Sequence, residues 1–599
     1  MKRAIILVGL LAMLTTSCLK EKKEQLIQSD QSALATFFAD YQAQYLAFFP
    51  LEATQQGVDI HNGTLGNTLT ASHRDSLISF FQTTEQKLAV FEQKSLSNKE
   101  RWQVETLRFT VESALKQASI PFHEIPFNHM EGVPWTLASW ADGKGPQPLN
   151  SPDDHKKWIN RLQGFQAWSD TAIACFRSGM GNEHVLPKPI VIKMISQLRD
   201  ILATDPTQSI FYQPVVQLPA TLDEVTKEEL ETEYLQIISQ VLQPSYGKLA
   251  DFLETEYLPV ARETSGLAGM PGGKRQYDFW VSYWTTTQLT PEEIYKIGVS
   301  EVVRIQKDLD SMQRKVGFNG SRAEFFNHLA TNRKFFPFQK PEQVIGVFQQ
   351  TQQKVQSKMN ELFSQMPQSV LEIRQTEAFR EKTASAEYVP GHAPSKRPGI
   401  FYIPIPNAAE YNVTSGMEAL FLHEGIPGHH FQVSLQQDNN RLPAFMRYGW
   451  IGAFGEGWAL YSESLGEELG LYEDPYQKIG ALKEELHRAI RLVVDVGLHR
   501  KGWTREKAIQ YMQAQEPITQ AEAEREVERY MVLPGQALSY KIGALTILEL
   551  RKKYESSLGE RFSLISFHDE LLSDGCLPLS VVSKKMDIWA KKQGRKELE

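Results

Sequence analysis

The chain has 599 residues, 41% of them hydrophobic, and a net charge of −8 with both signs interspersed. That length supports a large core or several domains, while the absence of a basic face excludes a dedicated nucleic-acid binder. Three cysteines are too few for a disulfide framework.

Met1-Lys-Arg3 is a basic start, and Ala4 to Leu14 is an apolar run too short to span a bilayer comfortably. Residues 1–17 therefore read as an export signal. Leu14-Thr-Thr-Ser-Cys18 resembles a bacterial lipobox, with cleavage before Cys18 and lipid on its thiol; an ordinary signal peptide is the other reading. Several acyl chains on one residue would anchor the protein stably to a membrane, and residues 18–30 would be the lipidated tether. The expected location is exported and membrane-anchored, on the periplasmic or cell-surface side.

From about Ser29 the pattern is helical, with Ala33, Phe37, Tyr41, Tyr45 and Phe48 at helix spacing before Pro50. Long helical segments follow over 73–117, with a break at Leu96 to Arg101. Phe122 to Pro152, rich in Pro, Gly and Trp, reads as a long ordered loop or set of turns. Its Trp135 and Trp140 either pack in a core or line a cleft. Residues 154–181 and 187–259 are helical again, and Thr264 to Gly273 is a Gly-rich break. A helix starts at Thr290-Pro-Glu-Glu293, with Thr290 as N-cap, Pro291 first and Glu293 closing a capping box. Helical patterns continue to about Met366. Cys175 and Cys576 read as buried thiols.

Glu377 to Pro406 is the second non-helical interval. Residues 388–399 read as a mobile loop. Ile400-Phe-Tyr-Ile-Pro-Ile405 reads as a short strand whose prolines suggest a sheet edge. Such an edge could hold an extended peptide by main-chain hydrogen bonds, or be a plain structural hairpin. Ser415 and Glu418 read as a capping box for the next helix, with His423 two turns inside.

That helix carries Phe421-Leu-His-Glu-Gly-Ile-Pro-Gly-His-His-Phe-Gln432. His423-Glu424 opens like an H-E-x-x-H zinc helix, in which two His at i and i+4 bind the metal and Glu is the base. Here i+4 is Pro427, and the next imidazoles are His429 and His430. On a straight helix i+6 faces the wrong side and i+7 lies roughly 10 Å along the axis. Neither suits one ion with ligands about 2.0–2.1 Å away. Pro427 and Gly428 predict a bulge. It would return His429 to the work of the second His, unless His430 takes that place.

His-Glu-x-x-Pro-Gly-His resembles the signature of the large bacterial family known as domain of unknown function 885. That family is similar to zinc peptidases of the thimet-oligopeptidase and angiotensin-converting-enzyme kind. Gly455-Glu-Gly-Trp-Ala-Leu-Tyr-Ser-Glu463 and Arg529-Tyr-Met-Val-Leu-Pro-Gly-Gln-Ala-Leu-Ser-Tyr-Lys-Ile-Gly543 resemble it too, as does Pro271-Gly-Gly-Lys-Arg-Gln-Tyr277 more weakly. The likeness covers most of the chain after the leader. It implies a mostly α fold with two helical lobes around a deep channel, about 31–263 and a metal-bearing 264–599, with a small β element beside the zinc helix.

A catalytic zinc site needs three protein ligands and an open position. Glu456 and Glu463, seven apart, share one helix face. The resemblance makes Glu456 the third ligand beside His423 and His429; Glu463 either orients a ligand His or is a surface carboxylate. Glu424, next to His423, projects about 100° around the helix and can serve as general base. Tyr540, after the Pro534-Gly535 break, is the expected electrophilic donor by resemblance, with Tyr530 as alternative. Arg488, Asp495 and His499 recur at near-helical multiples. They form either a polar stripe beside the site, with Arg488 or Arg491 holding a peptide carboxylate, or an internal salt-bridge network. The expected cofactor is one zinc ion, with manganese or cobalt left open. The expected reaction is hydrolysis of short or unfolded peptides. The rivals are a metal-dependent amidase on cell-wall fragments and a surface lipoprotein that binds peptides or glycans without turnover.

Overall fold

The computed structural model describes residues 32–595 apart from 144, 378–380, 382–383 and 392–396. The signal and tether, residues 1–17 and 18–30, lie outside the described residues, as does part of the 388–399 loop.

The protein is mostly helical. Helices α1 (Ala71–Glu92) and α2 (Asn98–Ala118) part where Ser97 and Glu100 form a capping box. The Trp-rich interval is not all loop, because it contains a helix, α3 (Val133–Trp140). Trp140 is buried in the core and Trp135 packs against it. α4 (Pro291–Lys315) starts on the expected Thr290–Glu293 box.

The described strands are β1 (Leu371–Gln375), β2 (Glu387–Val389) and β3 (Gly399–Ile403), in the order β1-β3-β2. β3 runs parallel to β1 and antiparallel to β2, so it is central and not at the edge. Pro398 and Pro404 lie just outside β3 and owe no donor to its ladder. β2 takes the outer position.

The helices that build the site follow. They are α5 (Met417–Glu424), α6 (His429–Asp438), α7 (Gly452–Glu463), α8 (Pro475–His499), α9 (Gln520–Val532) and α10 (Ser539–Leu558). The largest apolar core runs from Leu65 to Ala537, drawing on both sides of residue 263, and takes in Leu486, Ile490 and Val494 of α8. A second core gathers Phe401 of β3, Phe421 of α5, Phe431 of α6 and Trp458 of α7. α8 is buried continuously from Arg488 to His499, so its polar side chains must find partners inside the protein. α7 and α10 meet at glycines. A Cβ on Gly543 would lie 1.9 Å from the Ala453 carbonyl oxygen, so only glycine permits this approach, which carries Tyr540 toward Glu456.

Candidate metal centre

α5 ends at Glu424 and does not bulge. Gly425 to Gly428 fold back across its end, with Ile426-Pro427 in the cis form, and α6 begins afresh at His429. A Cβ at Gly428 would lie 2.0 Å from the His423 carbonyl oxygen, so the reversal is tight enough to require glycine. Trp458 of α7 pins it by donating from Nε1 to the Pro427 carbonyl at 2.7 Å. The Ser415–Glu418 box is absent. Gly416 caps α5 without a side-chain bond, and Glu418 instead accepts from the Tyr472 backbone N–H at 2.7 Å.

The reversal sets the His423 and His429 rings at right angles with centroids 4.8 Å apart. Glu456, one turn into α7, completes the group. Its Oε2 lies 3.7 Å from His423 Nε2 and 3.3 Å from His429 Nε2. One donor atom from each residue falls within 4.8 Å of the others. Donors around a tetrahedral ion with bonds of about 2.0–2.1 Å stand roughly 3.3 Å apart. Glu456 Oε2 is buried and has no hydrogen-bond partner. Two imidazoles and a carboxylate are a donor set suited to zinc, so these residues fit a divalent cation.

Burial opposes charge on His423, yet Glu456 and Glu463 push its imidazole up to about 10. Burial likewise opposes charge on Glu456, but His429 and His423 hold its carboxyl well below the usual range. The two shifts describe opposite charges, imidazole and carboxylate, that stabilise each other. Glu463 is not on the surface. It is buried and takes the Nδ1 side of His423 at 2.8 Å, leaving Nε2 aimed at Glu456. A carboxylate behind a ligating imidazole fixes its tautomer and raises its basicity. Glu424 points into the same space, and burial raises its carboxyl above the ordinary value against the pull of His429 and His423.

These groups line a cavity of about 620 Å³ with Ser385 to Tyr388, Trp450, Arg488, Arg491, Arg529 and Tyr540. The Tyr540 ring lies nearly parallel to that of His423, centroids 6.4 Å apart. Arg529 Nη2 donates to its Oη at 3.2 Å, and Arg491 covers its ring face at 4.7 Å.

Other candidates stand elsewhere. His430 turns to the sheet, pairing with Tyr388 Oη and the Ser369 carbonyl, each at 3.2 Å. Tyr530 is buried behind the wall, its Oη donating to Glu526 at 2.5 Å and accepting from Arg491 at 3.1 Å. Asp495 serves the approach to Tyr540. It accepts from Tyr277 Oη at 2.6 Å and from the Gly535 N–H, holding the turn before α10. Burial pushes its carboxyl up to about 7. His499 bridges the Leu267 N–H and the Tyr530 carbonyl, and burial depresses it to about 3. Arg488 pairs with Glu484, and Arg491 with Glu526, so both belong to ion pairs as well as to the cavity wall.

Sequence reasoning assigned no role to Arg529, Glu526, Trp450 or the residues around β2. Glu526, Arg529 and Tyr530 at i, i+3 and i+4 of α9 were the available signal for the polar wall. Nothing local marked Trp450.

The family described as "Bacterial protein of unknown function (DUF885)" matches residues 50–586, and the chain belongs to it. Two solved structures share the fold. "The putative lipoprotein from Colwellia psychrerythraea" is 27% identical, with a TM-score of 0.87 over 94% of this chain and 99% of that one. A "putative lipoprotein of unknown function from Shewanella oneidensis" is 19% identical, with a TM-score of 0.73 over 92% of this chain and 99% of that one. No curated protein matches the chain significantly. No described helix is long and apolar enough to cross a membrane.

Proposed function

We propose that this protein is a metallopeptidase that hydrolyses peptide bonds in short or unfolded peptides, with one divalent cation held by His423, His429 and Glu456. The observation that carries this reading is the buried Glu456 Oε2, which has no hydrogen-bond partner and faces the Nε2 atoms of two imidazoles. Zinc suits the donor set. When bound, such an ion would polarise the scissile carbonyl and acidify a water.

The chain's own residues supply the rest. Glu424 accepts the proton of the attacking water and returns it to the leaving amine. Its raised carboxyl suits both halves of that exchange. Tyr540 donates from Oη to the carbonyl oxygen as charge builds there. Glu463 fixes His423, and the outer strand β2, beside the cavity, can hold an extended peptide by main-chain hydrogen bonds. In this reading the centre is akin to zinc peptidases of the thimet-oligopeptidase and angiotensin-converting-enzyme kind. Lipid on Cys18 would tether it outside the cytoplasm, as the descriptions of the two structural neighbours also suggest.

The test is metal analysis of the purified protein together with cleavage of a mixed peptide library and of amide-bearing glycopeptides by native protein and Glu424→Gln. The expected result is one bound ion in both proteins, with turnover about 10²–10⁴-fold lower in the variant. Equal cleavage by both proteins, or no bound ion in either, would overturn the reading. Cleavage confined to amide-bearing glycopeptides would transfer the chemistry to cell-wall fragments.

A further inference from the structure

A second cavity, of about 780 Å³, adjoins the metal cavity, and Tyr448, Gly449 and Trp450 line both. Phe, Tyr and Trp rings form part of its walls, and its charged side chains are Glu52, Arg74 and Asp75. Arg74 donates to the Leu69 carbonyl at the cavity wall and is not among the groups that act on Glu52. Glu52 is the unusual member. Its carboxylate accepts one hydrogen bond, from Tyr45 Oη at 3.3 Å, and among the described residues no cation pairs with it. Tyr41, Tyr45 and Tyr283 line the same cavity as Glu52, the first two with ring centroids 5.9 Å apart. Burial raises the Glu52 carboxyl above its ordinary range.

A desolvated carboxylate without a counter-charge is costly, and a cation brought to it relieves that cost. Ring faces add attraction for a cation. A carboxylate among aromatic rings is thus chemistry for a protonated amine. The charge distribution agrees, since the three guanidiniums of Arg488, Arg491 and Arg529 line the metal cavity and not this chamber.

We propose that the aromatic chamber is an ammonium-binding subsite, in which Glu52, framed by Tyr41, Tyr45 and Tyr283, receives a protonated amine of the peptide lying at the metal centre. The amine is the free amino terminus, and a lysine side chain is a second group of the same chemistry. The assignment rests on the peptidase reading for the ligand's class.

Calorimetric titration separates the two ideas. Metal-loaded Glu424→Gln protein is titrated with an alanine-based hexapeptide bearing a free amino terminus, with its N-acetyl form, and with the N-acetyl form carrying one lysine. The free-amine peptide should bind about ten-fold more tightly than the acetylated one, the size of a charge-assisted hydrogen bond. Adding Glu52→Gln should erase that preference and leave the acetylated peptide unchanged. Affinity regained with lysine shows that the subsite also takes a side-chain amine, and affinity not regained limits it to the terminus. Equal binding of free and acetylated peptides, or equal weakening of all three by Glu52→Gln, overturns the subsite. The comparison of the first two peptides needs no change at Glu52. If the amine preference holds while native protein cleaves no peptide, the subsite stands and the peptidase reading falls. Cleavage without the preference does the reverse.

Discussion

His430 and His568 are as deeply buried as His423, yet both nitrogens of each are spent within the protein. His430 has Tyr388 and Ser369; His568 has Tyr461 Oη at 2.8 Å and the Leu362 carbonyl at 3.0 Å. Burial depresses these imidazoles to about 4 and about 3, so they sit neutral. His423 differs in what surrounds it. Its Nδ1 side rests on Glu463, and its Nε2 faces a carboxylate oxygen of Glu456 that has no hydrogen-bond partner. Burial alone therefore does not mark a ligand. The accounting of hydrogen bonds does, because a buried polar atom left unpaired in a native fold calls for an explanation.

The largest effect that would break this contrast comes from Glu456. Glu456→Ala should reduce bound metal to background, read by mass spectrometry of the purified protein, and abolish turnover. Full metal content in the variant would mean the ion sits elsewhere. Glu463→Gln is the next step down. It keeps the ligands but exchanges the carboxylate behind His423 for an amide, and metal affinity should fall about 10–100-fold. An unchanged affinity in a competition titration would make Glu463 a packing residue. His430→Phe should act in the opposite sense, leaving metal content intact. Stability should fall by about 1–3 kcal/mol in denaturant unfolding, as Ser369 and Tyr388 lose their partner. Loss of metal would restore His430 as a ligand.

What the sequence discloses here is mainly what is local. Thr290 and Glu293 satisfy each other within one turn, so that helix start is legible, and His423, Glu424 and His429 are legible because their chemistry is crowded into seven residues. The failures are contacts made at a distance. Ser415 and Glu418 have box spacing, but Glu418 is claimed by the N–H of Tyr472, 54 residues away. β3 looks like an edge strand until β1 pairs along its other side, and β1 offers too few apolar residues to announce itself. The turn at Gly425 to Gly428 signals a break, yet the partner that holds it, Trp458, lies 31 residues beyond Pro427. Tyr41 and Tyr45 fit helix periodicity, and nothing in that periodicity shows that Glu52 shares their chamber.

His487 adds a third kind of imidazole, mostly buried, and the most graded test. It lies between Glu516, 2.9 Å from Nδ1, and Glu526, 3.3 Å from Nε2. Burial opposes its charge, but Glu516 leads the effects that push it up to about 9, against the repulsion of Arg491. A carboxylate on each side thus outweighs burial, which the carbonyl partners of His430 and His568 do not. Because the folded value lies above the ordinary 6.5, protonation of His487 stabilises the fold fully below about pH 6.5. That contribution drains away as pH rises to about 9. The ceiling is about 3 kcal/mol, from the shift alone. Thermal unfolding of native protein and His487→Gln, compared across this window, should show the native advantage shrinking steadily with pH. A difference that stays flat would mean the imidazole is neutral throughout, and that partner chemistry does not sort these histidines.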